Sequence, residues 1–326
     1  MKRLGIDARG IDAGPGAGIA HATRELVDAL QEYAPTAGVE LVVYRETMSG
    51  SQLSSQLMRD KIDRVFVASG AVSPFIGGDV YPWVHDLAIF RHPEWFPQSF
   101  WKRFLTTRLF LKGLRRAKHI FSVSEDTKRN IKGIAGINES RITVTYQGIR
   151  GSLGFARDED RHGEKYALIL GTVEPRKNIA FIDELWGDVR RQVPDAKLLI
   201  AGRNGWGNVS IRNAERIERV SDEERDCLIA NASMLLLPSH HEGFGRTALE
   251  AMAQGVPVIA SNRGAIPEVV DGAGVLLGPG DREGWVAAIV DGFAGRIDGR
   301  VGIEQAKRFS WERTARIILA KIAEDW

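Results

Sequence analysis

The 326-residue chain is 44% hydrophobic and 26% charged, with 44 Lys+Arg against 42 Asp+Glu and a formal net charge of +2. Those proportions suit a globular protein of about two domains, no apolar run approaches the ~18 residues of a membrane span, and a single cysteine, Cys227, excludes an internal disulfide and a cysteine-built zinc site. The opening MKRLGIDARG runs into a short strand without the apolar core of a secretion signal, so the expected location is cytoplasmic.

Short apolar strands alternate with helical patterns along the chain, which argues for an α/β protein with parallel sheets. In the first half strands are predicted at 4–7, 40–44, 65–68, 81–85, 119–123 and 143–146. Gly14-Pro-Gly-Ala-Gly-Ile19 follows the first strand and precedes a helix at 20–30. Glycines there, Gly16 and Gly18 among them, permit a tight turn, and the helix start can hold a phosphate. A dinucleotide fingerprint would need glycine where Ile19 stands, which disfavours a nicotinamide-dependent oxidoreductase. Val84-His-Asp-Leu87 places His85 and Asp86 at a strand end. Residues 97–119 form a basic, aromatic stretch with seven Lys/Arg and no acid between 101 and 118. Such a helix can seat on an anionic membrane surface, or it can pack Phe104, Leu105, Phe110 and Leu111 beneath a solvated basic face. No nucleic-acid motif accompanies it, and none is expected to bind. Ser124 is placed to cap the helix that follows Ser122-Val-Ser.

The polar segment 158–164 interrupts the pattern and is the expected linker, giving domains at 1–157 and 158–308 with a final amphipathic helix over 309–326 capped at Ser310. The first 155 residues carry 21 Lys+Arg against 15 Asp+Glu, whereas the rest carry 23 against 27, so the basic half is the candidate for an anionic acceptor or surface. The second half has strands predicted at 166–170 and 197–201, a helix at 223–231, then strands around Leu235 and Val258 flanking a helix that contains Glu250. Two doubly wound domains would leave a cleft at the carboxyl ends of their strands, where such sheets bind ligands.

Chemistry concentrates in two motifs. Gly171-Thr-Val-Glu-Pro-Arg-Lys-Asn178 sets Arg176 and Lys177 at a strand end, where two cations can neutralise a diphosphate leaving group. Pro238-Ser-His-His-Glu-Gly-Phe-Gly-Arg-Thr-Ala-Leu-Glu250 sets Glu242 and Glu250 eight residues apart across a glycine loop that opens a helix. Gly243 and Gly245 let backbone approach a ligand closely, and the amides of the helix start, from Phe244 to Thr247, favour an anion. A ligand with phosphate in the middle and hydroxyls on both sides suits this layout, and a nucleotide sugar is one.

The Glu242–Glu250 block, extended through Ala-Met-Ala-Gln-Gly-Val-Pro-Val-Ile-Ala-Ser261, resembles the E-x7-E signature of the retaining glycosyltransferases of family 4. The resemblance implies the GT-B fold, with two Rossmann-like domains facing a cleft and the last helix crossing back to the first domain. It implies an acceptor-binding first domain and a donor-binding second domain. Lys177 and Arg176 would contact the donor diphosphate, Glu242 the donor sugar and Glu250 the ribose. Gly16 and Gly18 would lie near the phosphates, His85 beside the sugar and Asp86 toward the acceptor. The turn with Arg203 and the stretch at Val220 would line the base pocket. Many relatives have arginine where this chain has Thr172. The wording of Thr172-Val-Glu-Pro-Arg-Lys-Asn178 and Gly202-Arg-Asn-Gly-Trp206 looks most like bacterial mannosyl- and related transferases of surface polysaccharide assembly. GDP-mannose is therefore the first expected donor and a UDP-sugar the second, with a glycan or lipid-linked acceptor. No D-x-D metal motif stands in a suitable loop and no cofactor is expected, which implies metal-independent transfer. A UDP-sugar epimerase of the same shape and a nonenzymatic partner subunit remain open.

Overall fold

The computed structural model describes residues 2–9, 11, 18–70, 72–149, 165–207 and 209–326. Gly16 and the expected linker at 158–164 lie outside the described residues. Strands β1 (Lys2–Asp7), β2 (Val39–Tyr44), β3 (Arg64–Val67), β4 (Asp79–Val84), β5 (Ile120–Ser122) and β6 (Ile142–Val144) form one sheet in the order β2-β1-β3-β4-β5-β6. A second sheet comprises β7 (Tyr166–Leu170), β8 (Lys197–Ala201), β9 (Glu215–Ile217), β10 (Met234–Leu237), β11 (Val258–Ser261) and β12 (Val275–Leu277), in the order β12-β11-β10-β7-β8-β9. The paired strands run parallel throughout. Helices cover the sheet faces, which is why β7 and β10 read as unbroken apolar runs with every residue buried.

The chain divides into two compact units. One comprises Met1–Pro93, Gln98–Gly148 and Phe309–Trp326; the other comprises Glu94–Pro97 and Ile149–Arg308. The grouping of Glu94–Pro97 with the second unit is a tertiary feature that no local pattern announces.

In the first unit the last helix, Trp311–Ala323, starts at Ser310, whose hydroxyl accepts from the Arg313 amide at 3.1 Å. Its buried side chains Trp311, Ala315, Ile318, Leu319 and Ile322 repeat at helical spacing and form one apolar stripe. Trp311 donates from Nε1 to Glu25 at 3.0 Å, tying this helix to the helix Gly18–Tyr33. Ser124 likewise caps Glu125–Ala135, accepting from the Thr127 amide at 3.0 Å. β9 and β12, which the sequence reading did not place, are three-residue edge strands on which no residue is buried.

Candidate active site

Strand order in the second unit reverses between β7 and β10: connections from β7 run one way through β8 and β9, and those from β10 run the other way through β11 and β12. Loops leaving the carboxyl ends of two such neighbours diverge and open a crevice between them. The loop after β7 carries Arg176 and Lys177, and the loop after β10 carries Ser239 to Gly245. The two motifs found in sequence therefore meet because of sheet topology.

Glu242 is their meeting point. Its Oε1 accepts from Lys177 Nζ at 2.6 Å and from Ser239 Oγ at 2.6 Å, and its Oε2 lies 3.2 Å from Arg176 Nη1. Arg176 also pairs with buried Glu174 at 2.6 Å and donates to the His241 carbonyl at 2.7 Å. Glu242 is only 8% exposed. Burial alone would push its carboxyl up, but the Lys177 and Arg176 charges and the bonds from Lys177 and Ser239 outweigh it and hold the group at about 2. Glu242 is thus a carboxylate at neutral pH, an acceptor with no proton to give. The backbone beneath it is equally confined. Gly264 has φ +58°, and a Cβ there would stand 2.5 Å from the Glu242 carbonyl oxygen.

Gly245, at φ +101°, begins the helix Arg246–Ala253 without a side-chain cap. Phe244 is buried and Thr247 half-buried in the first turn. Glu250 is buried four residues into this helix, where it accepts from Arg246 Nε at 2.8 Å and lies 4.0 Å from Arg225 Nε. The carboxylate expected at a ribose is therefore already held by two guanidinium groups. Arg203 is exposed in the turn after β8 and Val220 half-buried before the Ser221 cap of Asp222–Ala230. Among the described residues no hydrogen bond or ion pair joins either to the Glu242 cluster.

In the first unit His85 follows β4. Its Nε2 lies 3.2 Å from the Ala68 carbonyl at the end of β3, and its ring stands edge-on to Trp83 at 4.5 Å. A carbonyl can only accept, so Nε2 carries the proton and Nδ1 keeps a lone pair. That Nδ1 is buried and has no hydrogen-bond partner. Burial pushes the imidazole down to about 4, against smaller opposing effects of the Ala68 carbonyl and Asp86. Asp86 is half-buried and accepts from the Ala88 amide at 3.1 Å, fixing the start of a short helix. Gly18 opens the helix Gly18–Tyr33 and is exposed.

Ser239, Glu174, Arg225, Arg246 and Gly264 complete the site and were not singled out by sequence. Ser239 had a visible signal, the hydroxyl three residues before Glu242. The others are recognisable only once the loops converge. Among the described residues no group of three or more His, Cys, Asp and Glu could hold a metal ion.

Residues 164–293 match the family profile described as Glycosyl transferases group 1. The chain is 32% identical over 255 residues to O-antigen chain mannosyltransferase B of Escherichia coli, covering 70% of this chain and 66% of that protein. It is 29% identical over 218 residues to O-antigen chain mannosyltransferase RfbU of Salmonella typhimurium, covering 63% and 58%. The chain thus spans less than two thirds of the length of these curated relatives. Among solved structures, Anabaena HepE in complex with UDP and glucose superposes with a TM-score of 0.74 at 16% identity, covering 99% of this chain and 100% of that one. WaaG, a glycosyltransferase involved in lipopolysaccharide biosynthesis, gives 0.73 at 13% identity, covering 97% and 98%. At those identities the likeness is one of fold, and the fold is GT-B. Residues 164–293 thus form a glycosyl transferases group 1 domain.

Proposed function

We propose that this protein is a retaining glycosyltransferase that moves a hexose, mannose from GDP-mannose in the first instance, to a glycan or lipid-linked acceptor of a bacterial surface polysaccharide. The carrying observation is the Glu242 carboxylate held by Lys177, Arg176 and Ser239 where the strand order reverses. The mannose assignment is supported by likeness to the two O-antigen mannosyltransferases. A UDP-sugar is the second reading, favoured by the UDP in the HepE structure.

In this reading the second unit binds the donor and the first the acceptor. The bond from the sugar C1 to the diphosphate oxygen breaks while the acceptor oxygen bonds to C1 on the same face. The leaving phosphate takes the acceptor's proton. Negative charge grows on the diphosphate, where Lys177, Arg176 and the start of the helix Arg246–Ala253 stabilise it. Because Lys177 is already paired with Glu242, the diphosphate competes for that ammonium rather than meeting a loose side chain. Glu242 accepts hydrogen bonds from donor-sugar hydroxyls; in the first unit His85, whose buried Nδ1 is unpartnered, is the candidate acceptor of a substrate hydrogen bond. Arg246 and Arg225 hold Glu250 toward the ribose, and Asp86 lies on the acceptor side. Gly243, Arg203 and Val220 belong to the donor pocket. No metal is required.

The acceptor's membrane partner falls to the helix Phe100–Arg116. Trp101 is 75% exposed, Phe104 45% and Leu105 58%, beside Lys102, Arg108 and Lys112. Among the described residues no helix is long and apolar enough to cross a membrane; in this reading the contact is peripheral, at the cytoplasmic face. Anionic vesicles should retain the protein and neutral vesicles should not.

A thermal-shift panel of GDP, UDP, ADP and TDP, with and without EDTA, tests the core reading. One diphosphate at ~100 times its Kd should add ~2.7 kcal/mol, unaffected by EDTA and lost in Lys177→Ala. Stabilisation by none of the four sinks the reading.

A further inference from the structure

The segment Glu94–Pro97 is grouped with the second unit although the chain on both sides of it belongs to the first. What it touches there explains the grouping. The Trp95 ring stacks on His240 at 6.0 Å with an interplanar angle of 20°. The Trp95 carbonyl accepts from Trp206 Nε1. The Phe96 ring lies 5.5 Å from Trp206. Two adjacent residues thus touch two loops at once.

Both loops bear on the Glu242 cluster. His240 stands two residues before Glu242, and its amide donates to the Arg176 carbonyl at 2.9 Å. Trp206 lies in the turn after β8. At the next residue, Gly207, a Cβ would come within 2.6 Å of Pro175 Cγ, so that turn backs directly onto the residue before Arg176. The loop that carries Glu242 is therefore in contact with Trp95, and the turn that backs onto Pro175 is in contact with both Trp95 and Phe96. A carboxylate and two cations at 2.6–3.2 Å keep that geometry only if the backbone carrying them is fixed. The loop from Ser239 to Gly245 has no regular element, and the turn after β8 has only the isolated bridge between Asn204 and Val173.

We infer that Trp95 and Phe96 are positioning residues for the donor site, a strap that holds the His240–Glu242 loop and the Trp206 turn in register around Arg176 and Lys177. Their effect passes through His240 and Trp206. The chemical need at position 95 is a flat ring to stack on imidazole, and at 96 an apolar ring to face an indole. The inference rests on the transferase reading only for its kinetic consequence, since loop fixation is measurable without any substrate.

Backbone hydrogen exchange of the full-length protein, followed for residues 239–246 in wild type, Trp95→Ala, Trp95→Phe and Phe96→Ala, is the direct test. The alanine variants should exchange about tenfold faster in that loop, with β7 and β10 amides unchanged, and Trp95→Phe should stay near wild type. Steady-state kinetics then add a second readout. Trp95→Ala should raise KM for the nucleotide-sugar donor about tenfold while KM for the acceptor stays put. Unchanged exchange at 239–246 in both alanine variants overturns the strap, and so does faster exchange spread evenly over both units, which would mark general destabilisation. Faster loop exchange in a protein that transfers no sugar upholds the strap and overturns the transferase reading instead.

Discussion

Glu242 and His85 are equally buried, each 8% exposed, yet the two units treat them in opposite ways. Burial disfavours the charged form of both. At Glu242 two cations and a hydroxyl reverse that tendency and the group stays ionised, held at about 2. At His85 a single carbonyl bond leaves burial in command, and the ring stays neutral down to about 4. The second unit therefore presents an ion cluster whose members are paired in advance. The first presents a neutral ring with one nitrogen committed and one buried acceptor open. Partners, rather than depth, decide which chemistry a buried group offers.

The largest effect that would break this comparison is expected at the cluster. Glu242→Gln and Lys177→Ala should each lower sugar transfer by about 10²–10³-fold, the loss seen when a group that stabilises developing charge is removed. Lys177→Ala should also cost about 3 kcal/mol in urea unfolding, because it strips a partner from a buried carboxylate. The double variant Lys177→Met, Glu242→Leu should recover most of that stability but none of the activity. Recovery of both would make the cluster a structural feature only.

Next comes the backbone under it. Gly264→Ala should lower transfer at least tenfold, since its Cβ would collide with the Glu242 backbone. A crystal structure of that variant with Glu242 undisturbed would contradict the assignment.

Acid titration sharpens the contrast at a smaller scale. Glu242 has a folded value of about 2 against an ordinary 4.5, so its contribution to stability is complete above the unfolded value and disappears as pH falls through 2. The stability gap between wild type and Glu242→Gln should therefore narrow from pH 4.5 downward. His85 is also depressed, from 6.5 to about 4, but it is a base. Its neutral form is favoured by folding, so stability is complete above 6.5 and lost as pH falls toward 4. Wild type should lose stability relative to His85→Asn in that window, on the order of 1–3 kcal/mol. Parallel pH profiles for wild type and variant would show that His85 is not buried as described.

The smallest effect is expected at Glu250. Glu250→Gln keeps the shape of the contact to Arg246 and should raise donor KM only a few-fold, with kcat nearly unchanged. A hundredfold fall in kcat would move Glu250 from ribose binding into the chemistry.

Residue patterns alone made most of this legible. Apolar runs such as Tyr166–Leu170 and Met234–Leu237 are buried on both faces and so carry their own signature. Ser310 and Ser124 announce helix starts through local side-chain chemistry. Glu242, Lys177 and Arg176 are found because each lies in a dense local motif. The strand Glu215–Ile217 has no buried residue to mark it, and its place is set by the neighbouring strand.

Sequence by itself thus determined the alternation of strands and helices, the two polar loops and the identity of their charged groups, all properties written within a dozen neighbouring residues. Only the tertiary structure decided that Lys177 and Arg176 close on Glu242 and that Glu250 is held by Arg246 and Arg225. It alone left His85 Nδ1 without a partner and set Trp95 against His240. Those relations join residues up to 145 positions apart along the chain. They arise from strand order and loop packing, which no local pattern of residues encodes.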